Sequence, residues 1–362
     1  MNKNTPDLSS LPLDECHFTF IGEGAANLVF ELVIDSGVKL DNNVKAIFQE
    51  NLLRVPKAGA KTHNHQELQQ YWESTISPLF PPSNLVQQRL VKLGGPSVIS
   101  KLNSTLDKEA QTRRHDFKGT RVANAEYGML VEDMRAKSPT SSFAIEFKPK
   151  WLAQSPNAPS KSLRCRTCAR EALRSHTKGK SKNVPCPLDL IVCNDNNTNN
   201  NNKNSSIAPA SYSIEEMNKA LTALLTSLLR TSSPSPANSN PENPDPRLTQ
   251  WLQKNTLLPS LLNAQVLNDT TGPLDPSSDP EKLALAMTLR DCSVYLRIPP
   301  SSSDDDLKQP VEAKLGDMDK KDVERKLSYW RELEMELIRG GYYEGKEVPR
   351  QRIGSCVLER GK

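Results

Sequence analysis

Two apolar runs stand near the start of the chain, Phe18-Thr19-Phe20-Ile21 and Leu28-Val29-Phe30-Glu31-Leu32-Val33-Ile34, and both predict strands. Between them lies a turn of small residues, Gly22-Glu23-Gly24-Ala25-Ala26-Asn27. Its backbone can approach a bulky anion because no side chain stands in the way, although a plain hairpin satisfies the same pattern. Leu52-Leu53-Arg54-Val55-Pro56-Lys57 predicts a further strand with Arg54 turned inward. A basic strand residue soon after a flexible turn is how a kinase covers and neutralises nucleotide phosphates. His65 to Ile76 reads as helix. Tyr127-Gly128-Met129-Leu130-Val131 reads as a strand that breaks at Glu132-Asp133-Met134, and Phe143 to Lys150 as a strand ended by Pro149.

Beyond Trp151 the periods change. Arg164 to Ser175 predicts a basic helix and Pro187 to Val192 a short strand. Ile214 to Leu229 predicts an amphipathic helix with leucines at 221, 224, 225, 228 and 229. A helix over Lys321 to Gly340 would bury Val323, Leu327, Trp330, Leu333 and Leu337 on one face. Three low-complexity segments, 194–206, 231–246 and 299–310, read as insertions into a domain. No internal repeat is present.

Composition sharpens this picture in three respects. With 362 residues, 36% hydrophobic and 25% charged, the chain is long enough for two lobes. Its 5% aromatics and 27 prolines imply long irregular connections around a smaller folded body. A formal net charge of +4 gives no bulk attraction for nucleic acid, so anion binding must come from local clusters. The polar N-terminus lacks a signal-peptide core, and no apolar run approaches the roughly 18 residues of a membrane helix. The expectation is an intracellular, soluble protein whose seven cysteines are mostly reduced.

Four constellations can carry chemistry. In Glu146-Phe147-Lys148-Pro149-Lys150 the two-residue period of a strand would put Glu146, Lys148 and Lys150 on one face, suited either to polyphosphate or to an exposed sheet edge. Asp291 lies at the mouth of the apolar strand Ser293 to Ile298, where a carboxylate can orient or deprotonate a hydroxyl, or merely cap a turn. Asp317 and Asp319, beside Gly316, make a plausible Mg²⁺ pair. Lys321, Arg325 and Tyr329 follow at four-residue spacing, a comb of donors next to that pair. Separately, a zinc site would need Cys165, Cys168, Cys186 and Cys193 to converge, with His176 able to replace one; Arg164, Arg166, Arg170 and Arg174 instead suggest a basic helix facing phosphates.

In order along residues 22 to about 329, the Gly-Glu-Gly-Ala-Ala-Asn-Leu-Val loop, Leu-Leu-Arg, Glu-x-Lys-Pro-Lys, Pro-Leu-Asp-Leu, Asp-Cys-Ser-Val and Asp-Met-Asp-Lys-Lys resemble the inositol-pentakisphosphate 2-kinase family in a fungal-like form. The resemblance implies an α+β, two-lobed kinase-like fold, with an antiparallel sheet in an N-lobe over 1–134 and a larger α/β C-lobe over 135–362. It implies transfer of the ATP γ-phosphoryl to the 2-hydroxyl of inositol 1,3,4,5,6-pentakisphosphate, giving inositol hexakisphosphate (phytate), with Mg²⁺. Carried over by motif, Gly24, Ala25, Ala26, Asn27, Arg54 and the hinge residue Glu132 meet nucleotide. Asp291 is the base, and Lys148 serves the transferred phosphate. Lys150, Lys321, Arg325 and Tyr329 hold substrate, while Asp317 and Asp319 hold the metal, Asp317 also touching nucleotide. No individual ligand carries over from the Arg-Cys-Arg-Thr-Cys region, nor from Arg113, Arg114 and Arg121. A monomer without nucleic-acid or membrane partners is expected, in the nucleus by family resemblance. The alternatives are a kinase for a less phosphorylated inositol and a kinase-like scaffold that binds inositol phosphates without turnover.

Overall fold

The computed structural model describes residues 5–35, 37–136, 143–179, 185–194, 222–226, 245–299, 309–351 and 356–360. The three expected insertions fall almost wholly outside these residues. So does most of the helix expected over 214–229, of which 222–226 is helical with Leu224 and Leu225 buried. The chain forms two compact units, Met1–Asp133 and Met134–Lys362. The class is α+β, as expected.

The first unit is built on five antiparallel strands: β1 (Cys16–Glu23), β2 (Asn27–Ile34), β3 (Asn51–Pro56), β4 (Gln88–Lys92) and β5 (Tyr127–Glu132), in the order β1-β2-β3-β5-β4. β2 alternates in burial along its whole length, with Leu28, Phe30, Leu32 and Ile34 inward. Its neighbours in the core are Phe18, Leu53, Val55 and Leu130. Helix α1 (Asn42–Gln49) adds Phe48 to this core, and α3 (Pro96–Lys108) closes it with Val98, Leu102 and Leu106. Each such side chain contributes roughly 1.5–3 kcal/mol of burial free energy. Between them in sequence, α2 (His65–Tyr71) continues into a wider turn over Trp72–Ile76, matching the predicted helix.

The second unit holds a three-stranded antiparallel sheet of β6 (Phe143–Phe147), β7 (Ser293–Ile298) and β8 (Glu312–Gly316), with β7 central. Around it lie α4 (Arg166–Lys178), α5 (Asp189–Val192), α6 (Pro246–Lys254), α7 (Leu257–Leu267), α8 (Pro280–Leu289), α9 (Val323–Arg339) and α10 (Val357–Arg360). Starts of the longer helices are chemically marked. Asp279 accepts from Glu281 N and Lys282 N ahead of α8, and Asp322 accepts from Arg325 N ahead of α9. The apolar face predicted for α9 is realised: Leu333 and Leu337 pack on Ala169, Ala172 and Leu173 of α4, while Val323, Leu327 and Trp330 pack on Leu283 and Ala284 of α8.

Two local expectations are corrected. Pro187 to Val192 forms a turn and a short helix, not a strand; Val192 N donates to Leu188 O and Cys193 N to Asp189 O. A short buried apolar run carries no period that separates the two states. The strand expected through Lys150 ends at Phe147. Pro149 cannot donate to a ladder and Lys150 turns to φ +57°, so the alternation that would have aligned Glu146 with Lys148 and Lys150 stops.

Candidate active site

Three chain segments meet at the end of the small sheet: the exit of β6, the turn from α8 into β7, and the exit of β8. Lys148 leaves β6 and donates to Asp317 Oδ2 (2.7 Å) and to the backbone carbonyl of Asp291 (2.7 Å). Lys150 donates to Asp291 Oδ1 (3.0 Å), and Lys321 donates to Asp291 Oδ2 (2.8 Å). Asp291 therefore has each carboxylate oxygen engaged by a different ammonium. Among the described residues, Lys150 and Asp317 are the two non-glycine positions with positive φ, +57° and +55°. Backbone strain of this kind persists where the surroundings over-determine it, and it concentrates at functional sites.

The charges shape one another. Burial alone would raise the Asp291 carboxyl, but Lys321 and then Lys150 outweigh it and hold the group well below the usual carboxylate range. Burial likewise opposes the charge on Lys148, yet Asp317, with Asp291 and Glu146 behind it, raises its affinity for the proton. Lys150 goes the other way: burial, reinforced by Lys148 and Arg170, exceeds the pull of Asp291 and lowers it. Asp319 lies two residues beyond Asp317, and its backbone carbonyl accepts from Thr288 Oγ1 (3.2 Å), which ties this segment to the end of α8. Glu146 points to Ser293, whose hydroxyl donates to it (2.8 Å).

The donor comb is assembled differently from the expectation. Lys321 precedes the helix, whose cap is Asp322, so it does not share a helical face with Arg325 and Tyr329. It reaches Asp291 instead. Arg325 lies in the first turn of α9, 3.6 Å from Asp322, with its side chain 46% exposed. The hydroxyl of Tyr329, on the next turn, accepts from Arg170 of α4 at 3.4 Å. Arg170 is thus the arginine of α4 that faces this cluster. Arg166 is buried against Glu334 (2.9 Å), Arg164 against Glu347 (2.7 Å), and Arg174 pairs with Glu171 on its own helix (2.8 Å). Of the arginines read as one basic helix, Arg170 is the one set apart by its contact with Tyr329.

In the first unit the predicted nucleotide residues form a set of their own. The tip between β1 and β2 is closed by Gly24 N donating to Asn27 O (2.9 Å), and Ala26 O accepts from Lys57 N (2.9 Å). A Cβ added at Gly24 would meet nothing, so chain packing does not demand glycine there. With the Asn27 amide turned to suit its neighbours, its oxygen accepts from Arg54 Nη2 (2.6 Å) and Nε (3.1 Å), and its nitrogen donates to His65 Nε2 (3.1 Å). His65 carries no signal in the sequence, since a lone histidine at a helix start belongs to no motif. Glu132 ends β5, its carboxylate accepting from Gln87 N (3.0 Å). Arg113 is buried on Glu23 beside Lys57, Arg121 pairs with Asp107, and Arg114 lies over the Phe117 ring, 4.8 Å from its centroid.

The sequence profile described as inositol-pentakisphosphate 2-kinase matches residues 20–336. The chain belongs to this family. An inositol-pentakisphosphate 2-kinase of Yarrowia lipolytica (strain CLIB 122 / E 150) is 29% identical over 206 residues, which are 56% of this chain and 54% of the relative. The match thus spans about half the length of that relative.

A further cluster, in the second unit, differs from its sequence expectation. Sγ atoms of Cys165, Cys168, Cys186 and Cys356 all lie within 4.8 Å of one another, and all four residues are buried. Cys356 takes the place expected for Cys193. Cys193 is buried separately, its thiol pushed up to about 12 by burial. His176 donates to or accepts from the Tyr342 hydroxyl (2.7 Å) and does not join. Hydrogen bonds from the other three thiols lower Cys356. Four convergent sulfurs are the donor set of a closed structural zinc site.

Proposed function

We propose that the chain is an ATP-dependent kinase that phosphorylates the 2-hydroxyl of inositol 1,3,4,5,6-pentakisphosphate to give inositol hexakisphosphate. The observation that carries this reading is the convergence of Lys150 and Lys321 on Asp291, with Lys148 and Asp317 beside it. Phosphoryl transfer asks the protein mainly for positioning and charge neutralisation, and a pentakisphosphate brings enough negative charge to occupy every cation described.

In the resting site Asp291 is a poor base, because two ammonium groups hold its charge. Substrate phosphates compete for Lys150 and Lys321, and as those lysines turn to phosphate the carboxylate regains its affinity for a hydroxyl proton. Lys148 sits between Asp317 and the Asp291 backbone, where it meets the phosphate in transfer. Arg325, Tyr329 and Arg170 form the rim that holds the remaining phosphates, Arg325 by its planar fork. On the nucleotide side, the open space over Gly24 suits a loop that covers phosphates, and Asn27 sets the direction of Arg54.

The carboxylates of Asp317 and Asp319 are hard oxygen donors at the exit of β8 and fit Mg²⁺, which takes one or two carboxylates along with phosphate oxygens. When bound it supplies charge neutralisation for the nucleotide phosphates. Among the described residues no helix is long and apolar enough to cross a membrane. We further take the protein to act as a monomer in the nucleus, without nucleic-acid or membrane partners.

Incubation of the purified chain with ATP, Mg²⁺ and a panel of inositol phosphates tests the reading. Conversion of the pentakisphosphate to the hexakisphosphate is expected. Turnover only of less phosphorylated inositols, or tight binding with no turnover, would refute it and select one of the two alternatives.

A further inference from the structure

Helix α7 is a run of leucines with one deeply buried amide, Gln265, which is 1% exposed. A buried amide is costly unless its hydrogen-bonding groups are all used. Here they are. Gln265 Nε2 donates to the carbonyl of Lys150 (2.9 Å) and to the carbonyl of Leu289 (3.2 Å), while Oε1 accepts from Leu152 N (3.0 Å). Because two partners are carbonyls and one is an N–H, only one orientation of the amide satisfies them.

We infer that Gln265 is a positioning residue for phosphoryl transfer, its amide pinning the segment of Lys150 to the segment of Asp291. All three of its partners are backbone groups, and they lie on the two segments whose side chains meet at the site. Lys150 is also one of the two strained backbones, and its carbonyl is the group that Gln265 grips. The neighbours of these residues reinforce the pin. Trp151, next after Lys150, has two guanidinium groups against its ring, Arg166 at 4.3 Å and Arg290 at 3.4 Å from the centroid. Arg290 immediately precedes Asp291 and is fixed by Asp269 (2.5 Å). An apolar side chain of the same length would fill the volume but leave Lys150 free to relax toward an ordinary φ, carrying its ammonium away from Asp291. The inference rests on the roles proposed above for Lys150 and Asp291.

Two variants test it, Gln265→Met and Gln265→Glu. In Gln265→Met, the ¹³Cα and ¹³Cβ shifts of Lys150 should leave the values of a left-handed residue. kcat should fall at least about 10-fold while KM for ATP stays within about 2-fold. In an Asp291→Asn background the same substitution should cost less than about 2-fold, because the geometry it protects has no carboxylate left to serve. In Gln265→Glu one oxygen still accepts from Leu152. The other can donate only when protonated, and then through its single proton to one of the two carbonyls, so kcat relative to wild type should recover in part as pH falls. This second variant decides the matter if the first does not fold. Unchanged Lys150 shifts, equal losses in both backgrounds, or a pH-independent loss in Gln265→Glu would overturn the inference. If the wild-type chain itself turns over no inositol phosphate, the functional reading fails and takes the catalytic role of Gln265 with it. The Lys150 shifts would still show separately whether the pin exists.

Discussion

Replacing Asp291 by asparagine should produce two opposite effects on one substrate. The carboxylate is the group assigned to orient and deprotonate the 2-hydroxyl, and loss of such a group lowers kcat by about 10²–10⁴-fold, or about 2.7–5.4 kcal/mol of barrier. The same carboxylate also occupies Lys150 and Lys321 in the resting site. Both pairs are partly exposed, with the Asp291 side chain 48% accessible, so each is worth only about 0.2–1 kcal/mol. Asparagine releases both lysines, and pentakisphosphate no longer has to displace a carboxylate to reach them. Binding should therefore tighten by about 0.4–2 kcal/mol, roughly 2- to 30-fold in Kd, while turnover collapses. Calorimetric titration of inositol pentakisphosphate into wild type and variant, with steady-state kinetics on both, separates the two quantities. ATP affinity should change by less than about 2-fold. Wild-type turnover would remove Asp291 from the chemistry, and weaker substrate binding would show that the lysines are not shared between carboxylate and phosphate.

Other perturbations follow from single contacts. Arg325→Ala should weaken inositol phosphate binding by about 1.5–3 kcal/mol with much less effect on ATP, and Arg325→Lys should restore only part of it; equal losses for both ligands by calorimetry would mean that this turn of α9 is merely solvated. Glu334→Gln removes a fully buried charge that accepts from Ser155, Tyr343 and Arg166, and should cost about 3–5 kcal/mol in denaturant unfolding; a loss under about 1 kcal/mol would show the network to be dispensable. Metal analysis should find zinc in wild type and in Cys193→Ser but not in Cys356→Ser, with a chelator lowering Tm in the first two; retention by Cys356→Ser would refute the four-thiol assignment. Burial outweighs Arg360 and lifts Asp189 to about 6, above its unfolded value of about 3.9, so the folded state holds that proton more tightly and the group's contribution to stability falls as pH rises from about 4 to 6. Asp189→Asn should gain on wild type across that window in thermal melts, and parallel curves would argue against the shift.

What the sequence revealed depended on whether the partners were local. The strand periods of Leu28 to Ile34 and the helical period of Val323 to Leu337 are written in consecutive residues, and both elements appear where those periods put them. Lys148, Lys150 and Asp291 could be picked out because each lies in a short motif at a strand end. Their mutual contact could not, since it depends on where β6 and β7 pair and on a left turn at Lys150 that no residue type signals. The period-two argument for Glu146, Lys148 and Lys150 failed at Pro149 for that reason. Arg170 and Gln265 were equally hidden. Each is one polar residue on a helix whose neighbours look similar, and only tertiary packing separates Arg170 from the buried Arg166, or shows that an amide among leucines is holding backbone groups. Cys356 had no second cysteine at ligand spacing, so Cys193 was the nearer expectation.

The distance in sequence across the thiol cluster has a consequence for biosynthesis. Cys186 and Cys356 lie 170 residues apart, yet their sulfurs are 3.6 Å from each other. A ribosome adding about 5–20 residues per second makes that interval in about 10–30 s. For that time Cys165, Cys168 and Cys186 exist in the nascent chain without their fourth partner, and whatever finally joins the four cannot do so until Cys356 has emerged. The first unit, complete by Asp133, has no such wait. Maturation is thereby ordered: the sheet that carries Gly24 and Arg54 can fold during translation, whereas the unit that carries Asp291 closes its thiol cluster late. Until then three thiols of that unit are open to oxidation or to another metal.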